Sequence, residues 1–269
     1  MRSFYLDYND ARIHCLRFGH GERLLIALHG FGDRARLFAI LEAALSERYT
    51  VVAFDLPFHG QTGWPGRSFC KNDLLAIVRM IMAREGKTRL CLMGYSFGAR
   101  LTQAMLPDLL PQLDKLYLLA PDGIQTKGMS TAVRTPMLVR KTLWHMLQKP
   151  QWFIRVLRLG SRLKLVPPLI THFLSFNLTR PERFRRTFGC WFALDSFYLP
   201  RRRIKAIWRE SGLRVDIYFG TKDEMIQYKT IRKMVEGVRN VRIYLMDAGH
   251  RLIGEELRER MREQPKPSS

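Results

Sequence analysis

The sequence predicts an α/β fold built on a mostly parallel sheet, and three observations carry that reading. Eight strand-like runs are spread along 269 residues, most of them separated by segments with apolar residues at three- and four-residue steps. At 46% hydrophobic, the chain can also bury a large core as one domain with an insertion. Residues 3–8 and 11–18 alternate polar and apolar around the Asn9-Asp10 turn signal, which predicts a hairpin and the antiparallel exception in the sheet. Residues 24–28 are continuously apolar, as a strand buried on both faces would be. Further strands are expected at 50–54, 90–93, 115–120, 215–219 and 241–246. Helical periodicity falls at 35–48, 72–84, 97–106, 228–238 and 251–261, so the later strands should run parallel. Residues 263–269, with two prolines and two terminal serines, read as a frayed tail, and no internal repeat is seen.

Chemistry concentrates first at Gly94-Tyr95-Ser96-Phe97-Gly98, directly after an apolar run and before a helical one. A serine between a strand and a helix with glycines two residues to either side reads as a nucleophile elbow, a turn too crowded for Cβ atoms at the flanking positions. Such a serine needs a histidine base, a carboxylate to orient that base, and backbone N–H groups to receive an oxyanion. His29-Gly30-Phe31-Gly32-Asp33 closes the strand at 24–28 and offers the Phe31 N–H to pair with that of Phe97. Gly220-Thr221-Lys222-Asp223 closes another strand, and Asp247-Ala248-Gly249-His250 closes the last. The resulting order of Ser96, Asp223 and His250 is the one found with a strand-elbow-helix serine.

With these segments the chain resembles the α/β-hydrolase superfamily over nearly its whole length. His29 to Gly32 is similar to the family's oxyanion loop, Asp55-Leu56-Pro57-Phe58-His59-Gly60-Gln61-Thr62 to its D-x-P-x-H-G-x-S/T segment, and Gly220 to Asp223 to its acid turn. Gly249-His250 is similar to its histidine loop. The resemblance implies an eight-stranded, mostly parallel sheet with helices on both faces and a cap inserted after strand six. The expected division is a first core part at 1–125, a helical basic cap at 126–210, a second core part at 211–262 and a flexible tail at 263–269. Asp122 also ends a strand, in a position some relatives use for the acid; Asp223 is preferred. His29 and His59 read as loop-holding rather than catalytic. His14, His20, His145 and His172 stand alone, without a second ligand at metal-site spacing, so neither metal nor cofactor is expected.

Cys15, Cys70, Cys91 and Cys190 are scattered without a C-x-x-C and read as reduced thiols. No signal-peptide pattern opens the chain and no apolar stretch reaches the ~18 residues needed to span a bilayer, so a cytoplasmic protein is expected. The formal net charge is +21, and residues 126–210 hold 18 Lys or Arg against three acidic residues, with four of the five tryptophans, Trp144, Trp152, Trp191 and Trp208. Amphipathic cap helices can bury their apolar faces and leave the charge solvated. They can also approach an anionic membrane surface, or attract an acidic substrate. No recognised nucleic-acid motif accompanies the charge, so nucleic acid is not an expected partner.

The reading that follows is a serine hydrolase acting through an acyl-enzyme on an apolar ester or thioester. Phe31, Tyr95 and Phe97 are expected to line its pocket, with Phe31 and Phe97 giving the oxyanion N–H groups. The alternatives are carbon–carbon hydrolysis or elimination, since the 94–100 segment is similar to the elbow of a menaquinone-pathway synthase, or a non-catalytic member that binds a partner or membrane.

Overall fold

Alternation along the strands decides which side chains meet which layer of helices. In the computed structural model of the chain, residues 1–65, 68–123, 155, 159–163 and 181–263 are described. The strands are β1 (Arg2–Tyr8), β2 (Ala11–Phe18), β3 (Arg23–Leu28), β4 (Tyr49–Phe54), β5 (Leu90–Tyr95), β6 (Leu113–Leu119), β7 (Arg214–Gly220) and β8 (Val241–Met246). They form one eight-stranded sheet in the order β1-β2-β4-β3-β5-β6-β7-β8. β2 is antiparallel to both β1 and β4, and every other neighbouring pair is parallel. The hairpin thus reverses a single strand, and the eight runs expected from the sequence are the eight strands.

Helices cover both faces. Numbered over the described residues, they are α1 (Glu42–Leu45), α2 (Lys71–Arg84), α3 (Phe97–Leu109), α4 (Pro181–Ala193), α5 (Arg201–Ser211), α6 (Lys229–Val235) and α7 (Glu255–Arg262). Leu24, Ile26 and Leu28 of β3 join a cluster with Leu74 and Val78 of α2, Leu101 and Met105 of α3, Trp208 of α5 and Ile231 of α6. Leu25 and Ala27, on the opposite side of the same strand, join Phe38, Leu41, and Leu257 and Met261 of α7. β4 and β5 are buried at every position, which is why they read, Thr50 apart, as apolar runs rather than alternating ones.

Two expected helices differ from what forms. The 35–48 segment is a 3₁₀ helix at Ala35–Leu41 followed by the single turn of α1. Its buried residues, Ala35, Phe38 and Leu41, recur every third position, the spacing that a helix with three residues per turn places in one row. The 251–261 segment becomes helical only at Glu255. Gly254 stands before it in extended backbone, and Glu255 and Glu256 fill the first turn, where acidic side chains favour the positive end of the helix dipole.

The cap expected at 126–210 lies between β6 and β7; its described parts are residue 155, residues 159–163 and residues 181–210, which include α4 and most of α5. The positions of Trp144 and Trp152, and the proposed tail from residue 264 onward, lie outside the described residues. α5 buries Ile204, Ile207 and Trp208 while Arg202, Arg203 and Arg209 are exposed. Trp208 is 0% exposed, so it is a core residue of this helix and is not available to an interface. The charge of α5 is on a solvated face. Among the described residues no helix is long and apolar enough to cross a membrane. All four cysteines are free thiols.

Candidate active site

The parallel strands bring their carboxyl ends to one edge of the sheet, and the loops that follow β3, β5, β7 and β8 carry Phe31, Ser96, Asp223 and His250 there. Ser96 sits at φ 49° and ψ −113°, outside the ordinary regions for an L-residue, between the end of β5 and the start of α3. Its N–H donates to the Leu119 carbonyl at 2.9 Å and its carbonyl accepts from Ala99 N–H at 3.0 Å, so backbone bonds hold the strained turn. A Cβ on Gly94 would lie 2.5 Å from the Ala99 Cα, and one on Gly98 would lie 2.1 Å from the Leu28 carbonyl oxygen. The second contact presses the first turn of α3 against the end of β3. Phe97, as the first residue of α3, has no intrahelical acceptor for its N–H.

The three side chains expected to act together meet. His250 Nδ1 lies 2.8 Å from Asp223 Oδ2 and must donate, since the carboxylate only accepts; His250 Nε2 lies 3.0 Å from Ser96 Oγ and can take the hydroxyl proton. The Asp223 side chain is 0% exposed, and its Oδ1 accepts the N–H groups of Met225 at 2.8 Å and Ile226 at 2.9 Å. Those bonds fix the carboxylate plane. Gly220 makes the junction of the two loops feasible, because a Cβ there would stand 2.3 Å from the Ala248 carbonyl oxygen. Asp122, the other carboxylate considered, is turned away: it forms a two-pronged pair with Arg100, with Nε–Oδ2 at 3.0 Å and Nη2–Oδ1 at 3.2 Å.

Tyr95 carries more than an apolar face. Its hydroxyl donates to the His250 carbonyl at 3.0 Å, tying the elbow to the histidine loop across the sheet edge. Burial, with the charges of Asp33 and Asp223, pushes this phenol up to about 12, so it stays a donor at neutral pH. Phe31 is 44% exposed, whereas Phe97 is 6% exposed and packs into the core.

His29 and His59 hold the loops around the serine. His29 Nδ1 donates to the Gly30 carbonyl at 2.8 Å and its Nε2 accepts Leu56 N–H at 3.0 Å; His59 Nδ1 donates to the Pro57 carbonyl at 2.9 Å and its Nε2 accepts Gly32 N–H at 3.1 Å. Each ring therefore staples one loop to the other, and only the neutral form can do so. Burial depresses both below the ordinary imidazole value, and for His59 the neighbouring His29 and Arg186 add to the effect. The unfolded chain takes up these protons near pH 6.5 and the fold does so only at lower pH, so stability is complete at neutral pH and is lost as pH falls below about 6.5. Thermal unfolding between pH 8 and pH 5 should show a falling Tm through that range. The fall should be shallower in His59→Gln, whose amide does not titrate, and an identical slope would contradict the staple.

Asp55 explains the rest of the D-x-P-x-H-G-x-T segment. Its carboxylate accepts Ala35 N–H at 2.6 Å, Gln61 N–H at 2.8 Å and His14 Nδ1–H at 2.8 Å, and Gly60, with φ +53°, lacks the Cβ that would strike it. His14, which stood alone in the sequence, also accepts from Ser3 Oγ at 3.0 Å through Nε2. A second Ser-His-Asp line thus exists, but Ser3 lies within the extended edge strand β1 and its Asp55 is committed to loop N–H groups. Side-chain spacing alone does not make a nucleophile; the elbow at Ser96 is the difference. Among the described residues no cluster of three or more His, Cys, Asp or Glu could hold a metal.

Comparison with known proteins agrees with this architecture. The family described as alpha/beta hydrolase fold matches residues 23–256. The chain belongs to the α/β-hydrolase family. A fluoroacetate dehalogenase from a Burkholderia species is 30% identical over 152 residues, covering 54% of this chain and 48% of that protein. The chain spans between 32% and 48% of the length of the curated relatives it matches. Among solved structures, the thioesterase domain from the curacin biosynthetic pathway aligns with a TM-score of 0.65 at 16% identity, covering 94% of this chain and 95% of that one. An esterase from Exiguobacterium antarcticum aligns with a TM-score of 0.65 at 16% identity, covering 97% of each chain. At such identities these α/β-hydrolase structures share the fold with this chain.

Sequence reasoning missed three participants: the Tyr95 hydroxyl, the role of His14, and Arg186 of α4. The first two join residues 155 and 41 positions apart and leave no local pattern. Arg186 was one of many cap arginines, and only the fold singles it out.

Proposed function

We propose that this α/β-hydrolase is a serine hydrolase of esters or thioesters with an apolar acyl or alcohol part, working through an acyl-enzyme. The observation that carries the reading is the His250 ring bridging Ser96 at 3.0 Å and the buried Asp223 at 2.8 Å behind a serine held in elbow geometry. Ser96 Oγ attacks the carbonyl carbon as its proton passes to His250 Nε2. Asp223 holds the imidazole in the required tautomer and stabilises the imidazolium. The Phe31 and Phe97 N–H groups receive the carbonyl oxygen as it gains charge. His250 then returns the proton to the departing alcohol or thiol. Water, activated by the same ring, adds to the acyl carbon and restores the Ser96 hydroxyl. The half-exposed Phe31 ring lines the entrance, and Tyr95 acts by positioning the His250 loop.

A chain-length series of p-nitrophenyl esters and acyl thioesters tests the assignment. The expected result is turnover with an optimum chain length and, for activated esters, an initial burst approaching one equivalent of nitrophenol per protein. Folded protein that turns over no member of either series would favour a non-catalytic scaffold.

A further inference from the structure

Arg186 is a charged side chain beside the site that the proposed chemistry leaves unused. It lies on the inward side of α4. Three residues on, a Cβ on Gly189 would stand 2.2 Å from the Phe58 ring, so the helix rests directly on the 55–60 loop; four residues on, Cys190 is 3% exposed. Residues three and four apart share a helix face, which turns Arg186 toward the same loop. Its guanidinium carbon is 5.7 Å from the centre of the Phe31 ring, above the residue whose N–H faces the reacting carbonyl in the mechanism. Its Nε is buried and meets no acceptor among the described residues, nor does any described carboxylate form an ion pair with it. Its charge is nevertheless felt in the site: it opposes the burial that raises Asp33, and it adds to the burial that lowers His59.

The cation–π contact with Phe31 accounts for the position of the guanidinium carbon but not for a buried N–H without an acceptor. Arginine presents a rigid fork of donors that matches an oxyanion, and a half-buried fork whose Nε has no acceptor gains from an anionic partner. The cap supplies a field of the same sign, with 18 basic residues against three acidic ones over 126–210.

We propose that Arg186 receives an oxyanion of the substrate, a carboxylate or phosphate borne a few atoms from the scissile carbonyl, so that acidic esters or thioesters are preferred to neutral ones of the same shape. This rests on the serine-hydrolase reading and names the substrate class of that site.

The test compares p-nitrophenyl half-esters of adipic and suberic acid with the same molecules carrying a methyl ester on the free carboxyl. The readout is the ratio of kcat/KM for acid over capped ester, which a general loss of activity does not move. The wild-type ratio should exceed one and fall by about ten- to a hundredfold in Arg186→Met, the scale of a charge-assisted hydrogen bond. Arg186→Lys, which keeps the charge and loses the fork, should fall between them. Melting temperatures establish that each variant is folded. A ratio unchanged in both folded variants, or a wild-type enzyme that hydrolyses both esters without preference, overturns the inference and leaves the hydrolase reading intact. If the wild type hydrolyses neither ester, the parent reading has failed. Calorimetric titration of Ser96→Ala with monomethyl adipate then decides the anion site alone: binding lost when Arg186→Met is added supports it, and unchanged or absent binding refutes it.

Discussion

Replacing Ser96 by alanine is expected to lower turnover of a working ester by about 10⁴- to 10⁶-fold, and His250→Ala should cost nearly as much. The double variant should be scarcely worse than either single one. The two groups perform one act, transfer of the hydroxyl proton across the 3.0 Å between Oγ and Nε2 as the new bond forms, and removing either abolishes it. What survives is whatever the Phe31 and Phe97 N–H groups and substrate binding still supply. Steady-state kinetics on the three variants checks this. Additive losses would mean that Ser96 and His250 act in separate steps.

The second large effect separates two aspartates. Asp223→Asn is expected to reduce kcat by about 10³- to 10⁴-fold with little change in KM, because an amide in this place no longer selects the His250 tautomer that leaves Nε2 free to accept. Asp122→Asn should act differently. It weakens a pair that neutralises Arg100, whose side chain is 6% exposed, so the expected loss is in stability, about 1–3 kcal/mol. Thermal unfolding and kcat measured on both variants give a crossed pattern. A crippled Asp122→Asn enzyme beside an active Asp223→Asn one would reassign the acid.

Much of this architecture was legible because a parallel sheet leaves plain traces. Strands buried on both faces must be largely apolar, and β3 beyond Arg23, β4 apart from Thr50, and β5 are. The residues that meet at Ser96 follow strand ends, and parallel strands deliver their ends to one edge, so the order of the loops already indicated a meeting point. The glycines at 94 and 98 were legible for a steric reason that the structure makes quantitative, with the neighbouring backbone 2.5 and 2.1 Å from where a Cβ would be.

Other features depend on partners far away in the chain and left no local trace. Asp122 and Asp223 each follow a strand end; the sequence favours Asp223, and in the structure Arg100 holds Asp122 while His250 meets Asp223. The 35–41 segment satisfies a helical pattern in general, and only its burial every third residue marks it as 3₁₀. The charge of residues 126–210 suggested a tryptophan-bearing surface, yet Trp208 is enclosed and Arg186 lies over the Phe31 ring. Net charge describes a surface. It does not say which cation faces a pocket.

The central claim is that Ser96, and no other hydroxyl, is activated as a nucleophile. Reaction of the folded protein with a fluorophosphonate, followed by peptide mass spectrometry, tests it most directly. The expected result is one label per chain on the peptide containing Ser96, absent from both Ser96→Ala and His250→Ala. Label on Ser3 instead, label that persists in Ser96→Ala, or no label on folded wild-type protein would contradict it.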